Sequence, residues 1–485
     1  MTTGDSSLEQ NVDEAVSRVA AASDRWTLYG YVERARVIRA IADELDAAAA
    51  NLTAIAQEET RLALPRLAGE LTRTTFQLRL FADVAEEGGF LDARIDRADP
   101  QWQMGAPRPD LRRMLVPIGP VLVFAGSNFP FAFSVAGGDT AAALAAGNAV
   151  LVKAHSGHPR LSDATAAAIA RAVERVGAPA DLVTVIHGTQ RGVEALRHPL
   201  IKAASFTGSI AGGRALFDIA NARPVPIPFY GELGSVNPAF VAPAAARSRT
   251  AEIAEGYVAS VTGSQGQLCT KPGMLVVPTG SDIIDALREA TAPVGGPLLN
   301  DRILKGYVEG LHELQARDGV NPLREADTSL TEPRLTLLHA DIEDVLKNPD
   351  GTVTEVFGPF GLIVSYSDPA RLRDLTMALE GQLTATLVAD DDAEDLAIAR
   401  ELVPLLTQKA GRVLWNQWPT GVSVTHAQQH GGPYPATTAS TTTAVGTASI
   451  SRFLRPVAFQ NFPAVLLPEP LQDANPLGIP QDVNG

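Results

Sequence analysis

The sequence predicts an α/β protein made of two successive α/β regions. Three observations predict it. From residue 121 onward, short apolar runs alternate with Ala-rich segments of helical length, the rhythm of βαβ units around a mostly parallel sheet. The composition, 45% apolar and 20% charged over 485 residues, suits packed cores and excludes disorder, collagen and coiled coil. That length accommodates two or three domains, and the pattern shifts near Pro100 and again in the Thr-rich tract 436–444.

The first hundred residues read as helical. Val32, Ala35, Ile38, Ile41 and Leu45 recur at helical spacing, with Arg34, Arg36 and Asp43 on other faces. A Pro-rich connector follows over 101–109. Strands are predicted over 121–125, 149–153, 182–187 and 203–206, and helices over 131–146, 160–176, 191–197 and 209–222. The stretch 114–138 carries no charge, but Pro117, Pro120 and Pro130, with Gly119 and Gly126, would break a membrane-spanning helix. The second α/β region runs from about 232 to 435, helical over 253–261, 282–292 and 393–402 and extended over 274–277. Asp390, Asp391 and Asp392 read as a solvated loop and helix start. Beyond the Thr-rich tract, 449–454 reads as a strand and the tail from Pro468 as turns.

Charge and cysteine content narrow the function. Lys plus Arg total 40 against 55 for Asp plus Glu, a net charge of −15, which argues against nucleic acid or an anionic membrane surface as partner. A single cysteine, Cys269, rules out an intrachain disulfide. The first fifteen residues lack the basic start and apolar core of a signal peptide, so a cytoplasmic protein is expected. No histidine pair has convincing metal-ligand spacing: His426 and His430 run straight into Gly431, Gly432 and Pro433.

Four places could carry chemistry. Cys269, in Gly266-Gln267-Leu268-Cys269-Thr270, lies among small and polar residues unlike a packed core, which favours a nucleophile over a buried apolar thiol. Glu232 follows an apolar run and reads as a candidate general base at a strand end, or a solvated acid. Asn128, between a strand and a helix, is explained by a turn or by an amide aimed at a developing oxyanion. Phe206-Thr207-Gly208-Ser209, with Gly213 beyond, closes a strand and opens a helix whose N–H groups suit a pyrophosphate.

Taken together and in order, these segments resemble the aldehyde dehydrogenase superfamily over nearly the whole chain. Ser127-Asn128-Phe129-Pro130 matches its oxyanion motif, Val152-Lys153 its cofactor lysine, and Phe206 to Ser209 its dinucleotide turn. Glu232-Leu233-Gly234 matches the general-base motif, Gly266-Gln267-Leu268-Cys269 the nucleophile motif, and Glu355 to Pro359 the Glu-x-Phe-Gly-Pro motif. Within the superfamily, residues 132–140, 232–238 and 430–437, with Arg452 to Pro456 and Gln460 to Pro463, resemble the NADP-dependent 2,5-dioxopentanoate (α-ketoglutarate semialdehyde) dehydrogenases.

The resemblance implies an aldehyde dehydrogenase-like fold. A parallel-sheet cofactor domain would occupy 1–231 with a bridging segment near 101–116, an α/β catalytic domain 232–435, and an oligomerisation segment 436–485. It implies that Cys269 adds to the aldehyde, that Asn128 and the Cys269 N–H hold the oxyanion, that hydride passes to a nicotinamide, and that Glu232 activates the water that hydrolyses the thioester. Cofactor contacts would come from Lys153, Ser156, Arg191, Gly208, Ser209, Gly213, Glu355 and Phe357. NADP is expected over NAD, because Ser156 stands where NAD-preferring relatives carry a glutamate and Arg191 can pair with a 2′-phosphate. No metal is needed, and a homodimer or homotetramer is expected. NADP-dependent oxidation of aliphatic or aromatic aldehydes is the alternative within the family. A cysteine hydrolase is disfavoured because no histidine stands in a specific relation to Cys269, and intact Asn128, Glu232 and Cys269 argue against a binding module without catalysis.

Overall fold

Four helices open the computed structural model, Val12–Thr27, Tyr31–Ala47, Ala49–Thr60 and Leu64–Glu87. Residues 11–324 and 332–484 are described, so most of the segment read above for a signal peptide lies outside them. The Asn11 side chain caps the first helix through the Asp13 N–H, and Pro65 occupies the first turn of the fourth. Ile38, Ile41 and Leu45 are buried as their spacing predicts. Two neighbours depart from it: Val32 is exposed and Arg34 is buried. Arg34 turns inward because its guanidinium finds the carbonyls of Thr27 and Ala146, at 2.8 and 3.4 Å.

The alternating region forms a five-stranded parallel sheet. Its order is Val183–Ile186, Val150–Lys153, Val121–Phe124, Ala203–Thr207 and Phe229–Glu232. Helices cover both faces, so Val121–Phe124 is buried throughout. Helix 131–146 of the sequence reading is only Gly138–Ala146. The preceding turns stay irregular: the Phe133 carbonyl is taken by the Gly126 N–H at 2.8 Å, and the Gly138 N–H reaches back six residues to the Ala132 carbonyl at 3.0 Å.

A second sheet has seven strands: Asn321–Arg324, Thr336–Asp341, Phe360–Tyr366, Met274–Pro278, Pro238–Val241, Gln382–Val388 and Ala410–Trp415. All neighbours run parallel except the first pair. A third, four-stranded sheet joins Leu454–Gln460, Leu111–Pro117, Ala93–Asp96 and Gln481–Val483. The strand expected over 449–454 is instead a 3₁₀ segment, Thr447–Phe453, and the strand starts at Leu454. Ile450, Arg452 and Phe453 are all buried in that segment. Arg452 pairs with Asp139, and Phe453 packs edge-on to Tyr230.

Candidate active site

Segments far apart in sequence converge between the two large sheets. Cys269 lies in the loop entering the strand Met274–Pro278. Just ahead of it, Ser264, Gln265 and Gly266 hold φ of 53°, 57° and 66°, a left-handed turn that side chains resist. The turn is pressed against the loop 353–359, since a Cβ on Gly266 would overlap the Gly358 carbonyl. Gln267 closes it: Oε1 accepts the Leu299 N–H at 2.9 Å, and its carbonyl accepts the Asn128 amide at 3.0 Å. Asn128 is itself anchored by Arg66, which donates to its carbonyl at 2.6 Å and lies over the Phe129 ring.

Glu232 ends the strand Phe229–Glu232, and the chain then crosses to the other sheet at Pro238. Gln382 Oε1 pins the crossing, accepting from Ser235 Oγ, Val236 N and Asn237 N at 3.0, 2.8 and 3.0 Å. Asn237 then donates its amide to the carbonyls of Cys269 and Lys271, at 2.8 and 2.9 Å. The segment that follows the acid therefore fixes the backbone of the thiol.

Between them stands His430. Its Nε2 is 2.8 Å from Glu232 Oε1 and 3.6 Å from Cys269 Sγ. This corrects the expectation that no histidine stands in a specific relation to Cys269. The pair is separated by 161 positions, and His430 sits in a loop before Gly431 and Gly432, where no periodic signal could place it. Glu232, Cys269 and His430 offer ligand atoms within 4.8 Å of one another, a grouping the histidine spacing did not reveal. The one Nε2 faces both neighbours, and the shorter contact places an N–H there to donate to the Glu232 carboxylate. Glu232 Oε2 and His430 Nδ1 are buried without a hydrogen-bond partner among the described residues. Burial, reinforced by the Glu232 charge, pushes the Cys269 thiol well above its ordinary range. Its proton must therefore leave before the sulfur attacks.

Glu355 and Phe357 belong to the loop packed on the Gly266 turn. Lys271, buried two residues after the cysteine, donates to the carbonyls of Val356, Gly358 and Phe360 at 2.6, 3.2 and 3.1 Å. Desolvation pulls this lysine down to about 8. Desolvation likewise raises Glu355, opposed by the Lys271 charge and the Ser235 N–H. Sequence reasoning gave no role to His430, Asn237, Gln382 or Lys271, although His430 and Asn237 lie within segments it had singled out.

The aldehyde dehydrogenase family profile matches residues 2–304. The chain is 43% identical to an alpha-ketoglutaric semialdehyde dehydrogenase of Acinetobacter baylyi over 98% of its own length and 92% of the relative's. The chain belongs to the aldehyde dehydrogenase family. It is also 44% identical to alpha-ketoglutaric semialdehyde dehydrogenase 2 of Azospirillum brasilense, over 98% of this chain and 91% of that one. Among solved structures, the fold matches an NADP-dependent glyceraldehyde-3-phosphate dehydrogenase from Bacillus halodurans complexed with NADP. The TM-score is 0.76, the identity 21%, and the match covers 93% of this chain and 90% of the other.

In this aldehyde dehydrogenase the strand order reverses between Val121–Phe124 and Ala203–Thr207, the place where open parallel sheets bind ligands at the C-terminal ends of their strands. Ser209 caps the helix Ile210–Asn221, its Oγ accepting from Gly212 N at 3.3 Å. The N–H groups of Ile210 and Ala211 take no partner outside their helix among the described residues, so they can meet an anion. Gly208 spends its N–H on the Glu232 carbonyl at 3.0 Å. Gly213 is a packing glycine, since a Cβ there would run into Leu233. Lys153 ends its strand, with its pKa lowered by burial and by the charge of Arg302. Ser156 is exposed in the turn beyond it. Arg191 lies in the first turn of Thr189–Arg197, a helix whose Gly192 rests on the Lys153 stem. His155 beside them is pushed down to about 3 by burial and neighbouring cations, so it stays neutral. Lysine and two arginines with no carboxylate in the 153–156 turn fit a phosphate-bearing dinucleotide. The sequence reading overlooked Arg302, which comes from the other half of the molecule.

Proposed function

We propose that this aldehyde dehydrogenase oxidises 2,5-dioxopentanoate to 2-oxoglutarate with NADP. The observation that carries the substrate is the 43% and 44% identity, over 98% of the chain, to two relatives named as alpha-ketoglutaric semialdehyde dehydrogenases. The convergence of Cys269, His430 and Glu232 supports the chemistry.

In this reading the Cys269 sulfur adds to the aldehyde carbon as a thiolate, its proton having left for solvent, while the His430 Nε2–H donates to Glu232 Oε1 and holds that carboxylate beside the reacting carbon. The Asn128 amide leaves the Gln267 carbonyl and, with the Cys269 N–H, holds the oxyanion. The nicotinamide, when bound, supplies the hydride acceptor. The acyl group then rests on Cys269 as a thioester. Glu232 Oε2, without a partner among the described residues, accepts a proton from the attacking water, and the carboxylate is released. Lys153, Ser156 and Arg191 hold the adenosine end, with Ser209 at the pyrophosphate and Glu355 and Phe357 at the nicotinamide ribose. The NADP preference rests on the cationic rim and on the neutral Ser156.

Residues 1–231 would form the cofactor domain, 232–435 the catalytic domain, and 436–485 the part that joins two copies. Leu454–Gln460 is an edge strand, and exposed Phe462, Val465 and Leu466 follow it directly, so a second copy of this chain is the partner these residues suit.

Initial rates with NADP at matched 2,5-dioxopentanoate, hexanal and benzaldehyde, repeated with NAD, test the reading. We expect kcat/KM for the dioxo acid at least about tenfold above the others, a discrimination of about 1.4 kcal/mol. Preference for hexanal or benzaldehyde would move the function to general aldehyde oxidation.

A further inference from the structure

An aldehyde that carries a carboxylate at its far end needs a cation some distance from the nucleophile. The helix Leu64–Glu87 passes beside the site and presents Arg66, Glu70 and Arg73 along one side. Two of the three are engaged. Glu70, buried, accepts from Phe131 N and Ala132 N and pairs with Arg66 at 3.2 Å, while Arg66 holds the Asn128 carbonyl. Arg73, one turn on, differs from both. Its Nη1 is buried with no hydrogen-bond partner, and no ion pair reaches it among the described residues. A guanidinium left this way is costly unless an anion completes it.

Its placement says which anion. The Arg73 guanidinium lies over the Phe133 ring, 5.7 Å from the centroid, and the far side of the cluster continues to His430, whose ring centre is 6.3 Å from that of Phe133. His430 touches Cys269. The Phe133 ring thus neighbours both the Arg73 guanidinium and the His430 imidazole, a spacing that an acid with several carbons between its two ends would bridge. Burial lowers the pKa of Arg73, and the charges of Glu70, Cys269 and Glu232 oppose that shift, so the guanidinium belongs to the neighbourhood of the site.

We propose that Arg73 binds the distal carboxylate of an ω-oxo acid substrate, with the Phe133 ring lining the carbon chain between that carboxylate and Cys269. The proposal rests on the reading of the site as one for an aldehyde acid, and it extends to any semialdehyde of similar length. A bidentate guanidinium–carboxylate contact supplies both affinity and register, which sets the aldehyde carbon against Cys269.

The test compares wild type, Arg73→Met and Arg73→Lys on 2,5-dioxopentanoate, 5-oxopentanoate and hexanal, with saturating NADP. Glutarate serves as a non-reacting competitor against hexanal. In Arg73→Met the ratio of kcat/KM for either acid to that for hexanal should fall about a hundredfold, mostly through KM, as when one partner of a buried charge pair is lost. The glutarate inhibition constant should rise by about tenfold or more, and Arg73→Lys should recover part of both losses. An equal loss on acids and hexanal would make Arg73 a structural or thiolate-stabilising residue and overturn the proposal. So would an unmoved ratio. If wild type favours 5-oxopentanoate over the dioxo acid while the ratio still collapses, the substrate named above falls and Arg73 stands. If wild type favours the dioxo acid and the ratio does not move, Arg73 falls and the substrate stands.

Discussion

Burial and the Glu232 carboxylate both hold the proton on Cys269, so Glu232 has opposite effects on the two halves of the proposed cycle. Glu232→Gln removes the negative charge and should lower the thiol pKa. The pH profile for alkylation of Cys269 by iodoacetamide then shifts to lower pH, and alkylation at pH 7 becomes faster. The same variant should keep a single-turnover burst of reduced cofactor while steady turnover falls. Equal loss of burst and turnover would remove the water-activating role. In the cofactor crevice, Arg191→Ala should cut the NADP-to-NAD ratio of kcat/KM by about tenfold or more, the worth of one charge-assisted contact; an unchanged ratio would leave Lys153 and Arg302 to meet the 2′-phosphate. Cys269, Glu232 and Asn128 could be singled out because each lies in a short segment whose residue types already suggest chemistry, and the structure brings Cys269 and Glu232 to one imidazole. His430 and Arg73 were not. Their meaning lies in contacts across loops and across the helix–loop boundary, and nothing local distinguishes them from a turn histidine or a solvated arginine.

Among the elements, the left-handed turn Ser264–Gln265–Gly266 is where local strain is used to aim a side chain. Gly266→Ala faces both a positive φ and the Gly358 carbonyl. It should cost about 1–3 kcal/mol, visible as a lower Tm, and should slow alkylation of Cys269 as the nucleophile loop shifts. A Tm and alkylation rate equal to wild type would show that the loop yields freely. The strands of the five-stranded sheet were readable because parallel strands buried on both faces are continuous apolar runs. Element ends were harder. The segment 131–137 had helical composition but gives its Phe133 carbonyl to the Gly126 N–H, and 450–453 had an extended look but coils as a 3₁₀ segment with Arg452 held by Asp139. In both places a tertiary contact overrode local preference.

At the scale of the whole molecule, the edge strand Leu454–Gln460 and the apolar residues after it bear on assembly. Leu466→Asp should shift sedimentation toward monomer while leaving the unfolding transition of each subunit cooperative. A wild-type monomer at micromolar concentration would contradict the expected dimer. The arrangement of the two large sheets was not readable from sequence, because it depends on one short crossing, from Glu232 to Pro238, and on Gln382 and Asn237 holding it. That crossing makes the site a joint between two bodies. The acid arrives at the end of one sheet and the thiol at the start of a strand in the other, with hydrogen bonds of 2.8 Å and 3.6 Å meeting at one imidazole nitrogen. A slip of an ångström or two between the sheets would part them while every strand stayed paired. In rising urea, turnover should therefore vanish before the far-ultraviolet circular dichroism changes, and the enzyme should report loosening of its halves well ahead of their melting.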